Sequence, residues 1–204
     1  MSNYAYLCCS DLERIYPSFL NADYDPDEGT LACDVEAIPL LWFGLFRPAD
    51  WRTEEFIVDG DRRQAEAPLV ERQKGLEQLD AAVPLLEKLF DGWGSLQAHA
   101  ALLRECVDDA SGQFLSIEWE EVCCMFASES EFCGMDRRVL AYVERPGGDL
   151  PAIRKTLLTL ASFEKTKNFP PARGFVDDLE LSDTDFWNLT RMLGASHSRT
   201  VPWE

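Results

Sequence analysis

Residues able to do covalent or metal chemistry are few in this chain and poorly spaced for it. There are two histidines, His99 and His197, and seven cysteines at 8, 9, 33, 106, 123, 124 and 133. A cysteine nucleophile needs a base within hydrogen-bond reach. His99 and Cys106 would share one face of a helix, but their spacing sets them about 10.5 Å apart along its axis. His197 stands in the C-terminal tail. No G-x-S-x-G elbow announces a serine nucleophile. No C-x-x-C or H-x-x-x-H pair occurs either, so no structural zinc site is expected. Gly92-x-Gly94 and Gly147-Gly148 match no phosphate-binding loop and read as turns. No catalytic residue and no cofactor is assigned.

Carboxylates are the abundant groups. Asp23-Tyr24-Asp25-Pro26-Asp27-Glu28-Gly29 begins like a calcium loop, D-x-D-x-D-G. Glu28, however, occupies the place where the sharp turn needs glycine, and Asp34 stands where a bidentate Glu belongs. The stretch therefore reads as a solvated or partner-facing loop. Asp108-Asp109, Glu118 with Glu120 and Glu121, and Asp177-Asp178 form close pairs. Among 37 acids such pairs arise by chance, and they read as surface charge.

Against those 37 acids stand 19 Lys and Arg, a formal net charge of −18. Residues 1–60 hold twelve acids and three bases, so half of the net charge lies there. Such a field repels nucleic acid and anionic membranes and speeds encounter with a basic partner. The basic pairs Arg62-Arg63, Arg137-Arg138 and Arg154-Lys155 lack interleaved aromatics, which disfavours direct nucleic-acid binding.

The elements that would position these groups suggest one α+β domain over residues 1–204, with a small mixed or antiparallel sheet and about five helices. Tyr4 to Cys9 is β-prone. Asp11 to Glu36 reads as an acidic loop punctuated by Pro17, Pro26 and Gly29. Ile38 to Phe46, apolar all round behind Pro39, reads as a buried helix. Glu55 to Gly60 reads as a strand closing in a turn. Leu69, Leu76, Leu79, Val83, Leu86 and Phe90 recur at helical spacing and predict a helix from Ala67 to Phe90, kinked or split at Pro84. Ser95 can cap a second helix reaching Asp108. Phe114 to Phe126 mixes strand and helix signals. Val139 to Glu144 reads as a strand and Leu150 to Glu164 as a helix. The last helix is capped by Ser182, stapled by Leu181 to Phe186, and closed by Gly194.

The cysteines, odd in number and set among apolar neighbours, read as free, buried thiols. That fits a reducing compartment. No apolar run approaches membrane-spanning length, and the N-terminus lacks a signal-peptide pattern, so a cytoplasmic address is expected. Trp42 and Trp187 read as core. Trp51, Trp93 and Trp203 read as partly exposed and available to a partner.

The opening Tyr4-Ala5-Tyr6-Leu7, the Ile38-Pro39-Leu40-Leu41-Trp42 segment behind an acidic loop, and the closing Leu193-Gly194 with Val201-Pro202-Trp203-Glu204 resemble the small cytoplasmic immunity proteins of bacterial polymorphic toxin systems. The resemblance implies a protein that is not an enzyme and inhibits one cognate toxin by tight stoichiometric binding over its active site. A basic toxin would face Asp23, Asp25, Asp27, Glu28, Asp34 and Glu36, with Trp51 as an anchor. Two alternatives stand beside it: a hydrolase with a carboxylate site assembled from scattered residues, and an acidic mimic of nucleic acid.

Overall fold

Tyr4–Ser10 alternates tyrosines with small apolar residues and forms strand β1. The computed structural model describes residues 3–15, 29–163, 167–172 and 183–196. Strand β2 (Thr30–Val35) pairs antiparallel with β1 and sets Ala32 opposite Leu7 and Asp34 opposite Ala5. A loop was expected here. The strand was masked because an inward position of its alternation is filled by a carboxylate, Asp34.

The run behind Pro39 is a 3₁₀ helix, Leu40–Leu45, buried at every residue as its all-round apolarity requires. Strands β3 (Trp51–Val58) and β4 (Asp61–Glu71) then form a hairpin. Asp59 and Gly60 turn it with φ of 53° and 87°. Two positive φ values in a two-residue loop mark a type I′ turn, whose twist matches that of the strands.

Helix α1 (Arg72–Leu89) starts later than its periodicity suggested, because Ala67–Glu71 belongs to β4. Leu69 and Val70 pair with strand β5 (Phe114–Glu118), and a short apolar run cannot by itself choose between strand and helix. The helix is neither ended nor split at Pro84, which sits on its exposed face. At Gly75 an added Cβ would come within 2.9 Å of Leu115 and 3.1 Å of Val70, so α1 rides directly on the sheet.

Helix α2 (Gln97–Asp108) buries His99, Ala100, Leu103 and Val107. The ambiguous stretch after it contains both states: β5, then a single turn α3 (Glu120–Cys123). Helix α4 (Glu129–Glu144) occupies the place where a strand was expected. Its cap is Ser128, which accepts from the Glu131 N–H at 3.1 Å. Phe132, Val139, Leu140 and Val143 do follow helical spacing, but buried Asp136 interrupts their stripe and hid the period. Helices α5 (Leu150–Leu160) and α6 (Asp183–Leu193) fall where expected, and strand β6 (Ala195–Ser196) follows. Gly194 closes α6 with φ 85°, while the Trp42 indole donates to the Leu193 carbonyl at 2.8 Å and satisfies one of its orphaned acceptors. Leu181, Ser182 and the tail from His197 lie outside the described residues.

The strands lie in the order β3-β4-β5-β1-β2-β6, each neighbouring pair antiparallel, and five helices of eleven or more residues complete an α+β fold. One large core joins Leu7, Trp42, Leu76, Phe90, Leu115 and Phe132. Among the described residues no helix is long and apolar enough to cross a membrane.

Candidate functional site

Pro68 decides where the sheet opens. In a two-residue I′ hairpin the residues flanking the loop exchange both hydrogen bonds, and bonded pairs then alternate along the ladder. Counting from Val58 and Asp61, the main-chain groups of Arg62, Gln64, Glu66 and position 68 point away from β3, towards β5. Proline has no N–H to give β5. The β4–β5 ladder accordingly ends at Leu69 opposite Ser116, and the two strands part.

A pocket of about 320 Å³ fills this fork. One wall is the β4 stretch Gln64, Ala65, Glu66 and Ala67. The opposite wall comes from Glu118 and Trp119 at the end of β5 and from Cys123 on α3, and Ser128, Glu129 and Cys133 at the start of α4 close it. Among the described residues four glutamates line it, Glu66, Glu118, Glu120 and Glu129, and no Lys, Arg or His does.

Aromatic contacts hold the walls. The rings of Trp51 and Trp119 lie 5.3 Å apart, Trp119 meets Phe132 edge-on at 5.2 Å, and Phe126 meets Phe132 at 5.0 Å. The Trp119 indole donates to the Glu66 carbonyl at 3.0 Å. Glu66 is engaged several times over. Its carboxylate accepts from the Trp51 indole and the Thr53 hydroxyl, both at 3.2 Å, and from Arg137 at 2.6 Å. The Arg137 guanidinium lies 4.6 Å from the Trp51 ring centre. Glu118 is buried, and one of its oxygens accepts from the Glu120 N–H at 2.9 Å. On α3, Glu121 accepts from the Tyr4 N–H at 2.9 Å and ties this turn to β1.

Two thiols of the pocket, Cys123 and Cys133, are poor nucleophiles. Burial, helped by neighbouring carboxylates including Asp136, pushes Cys123 up to about 11 and Cys133 up to about 12. The thiolate is the reactive form, so both are inert near neutral pH. Asp136, fully buried next to them, has no hydrogen-bond partner on either oxygen, and burial raises its pKa well above the ordinary range. A lone charge there is costly, so burial favours the protonated carboxyl. His99 is buried, and burial lowers its pKa against the raising effect of the nearby Pro170 and Ser95 main chain. Among the described residues no group of three or more His, Cys, Asp or Glu is placed to hold a metal ion.

The acids expected to face a partner are not gathered here. Asp34 is internal: it pairs with Arg191 of α6 at 2.6 Å, with the two side chains 1% and 13% exposed. Glu36 is exposed, in a turn with φ 58°. Asp23, Asp25, Asp27 and Glu28 lie outside the described residues. Trp51 is half-buried beside the pocket, under Arg137. Trp93 is buried among Phe90, Phe163 and Phe169 rather than exposed, and Trp187 is half-buried rather than core. Cys124 is an exposed thiol, against the expectation of burial.

The pocket acids were missed, although Glu118, Glu120 and Glu121 stand out in the sequence as a cluster. A strand ending in Ile117-Glu118-Trp119 offers one usable signal. Strand alternation there places a carboxylate next to residues that must be buried, and Pro68 announces an interrupted ladder. Comparisons with known protein families, with curated proteins and with solved structures find no match to this chain.

Proposed function

We propose that this chain works by binding: as an inhibitor of the immunity type, it neutralises a toxin with a basic surface by tight, stoichiometric occlusion. The observation that carries this is the pocket in the β4–β5 fork, lined among the described residues by four glutamates, by aromatic rings and by the raised-pKa thiols of Cys123 and Cys133, with no cationic side chain among them. Such a site offers charge complementarity to a basic group and apolar walls for its stem. The net charge of −18 adds long-range steering, which raises the rate of encounter more than the strength of binding. A cytoplasmic site of action belongs to the same reading. The test is co-expression of the chain with the toxin-like protein that copurifies with it. Restored growth supports inhibition, and unrelieved toxicity sinks it.

The same acids favour a second reading, a carboxylate hydrolase. Acid–base couples need two carboxylates whose surroundings differ, and Glu118 is buried whereas Glu129 is exposed. Screening glycosides and esters with the wild type, Glu118→Gln and Glu129→Gln distinguishes the two. A bell-shaped pH–rate profile lost in both variants would establish the enzyme.

A further inference from the structure

We draw no further inference here: the strongest candidate, the outer edge of β3 along Thr53, Glu55 and Ile57 at the end of the six-stranded sheet, lies where the chain passes beyond Ile15, whose N–H bonds Glu54 at 3.1 Å, and nothing in the structure shows what covers it.

Discussion

Asp136 should make the folded protein lose stability as pH rises, and Asp136→Asn should remove that loss. In the folded chain its carboxyl is fully buried without a partner, with a pKa well above the ordinary value of 3.8, at which it titrates once unfolded. Between those two values the folded state holds one proton more than the unfolded state. Stability therefore falls with pH at about 1.4 kcal/mol per unit. Below about pH 4 both states are protonated and the effect vanishes. The asparagine side chain has nearly the same shape and does not titrate in this range. The stability of the variant relative to the wild type should thus climb as pH rises above about 4, until the folded carboxyl itself ionises. Urea unfolding of both proteins, followed by tryptophan fluorescence at several pH values, reads the difference directly. Every other titrating group cancels in it. A difference flat with pH would refute the reasoning, because the carboxyl would then titrate alike in both states.

Three further outcomes follow from the packing. Arg191→Met leaves Asp34 charged and buried without its ion pair, and it should cost about 3–5 kcal/mol in urea unfolding. A cost under about 1 kcal/mol would show a pair of the surface kind. Pro84→Ala restores a donor in the interior of α1 on an exposed face and should stabilise by about 1–3 kcal/mol; a loss of stability would mean the proline is needed for packing. Of the seven thiols, exposed Cys124 alone should react quickly with a maleimide in the native protein at neutral pH, with Cys123 and Cys133 held protonated. Rapid labelling of Cys133, identified by peptide mapping, would contradict the closed wall described here.

Local signals carried much of the fold. Pro39 ahead of an all-apolar run marked the buried 3₁₀ helix, and Gly194 marked the end of α6. The errors share a physical cause. Asp34 and Asp136 are charged-type residues at inward positions, one paired by a helix far along the chain and the other favoured in its protonated form by burial, and each broke the period that would have revealed β2 or α4. Periodicity reads an inward carboxylate as solvent. The site suffered for the same reason. Glu118 looked like one acid among 37, although its place in β5 opposite Tyr6 of β1 is a buried one. Pro68 was visible throughout, but its effect depends on which side of β4 its missing N–H faces. That is fixed by the hairpin register counted from Asp59-Gly60, a relation between two segments that composition does not express.

The most direct measurement is capture of the tagged chain and of its Glu120→Lys, Glu129→Lys variant from the cells that make it, with a high-salt wash and intact mass spectrometry of what remains. Steering alone does not survive such a wash, because exposed charges are screened within a few ångströms. The account predicts one basic protein held one-to-one by the wild type and lost from the variant. A wild type that retains nothing, or a partner held equally well after charge reversal, would contradict it.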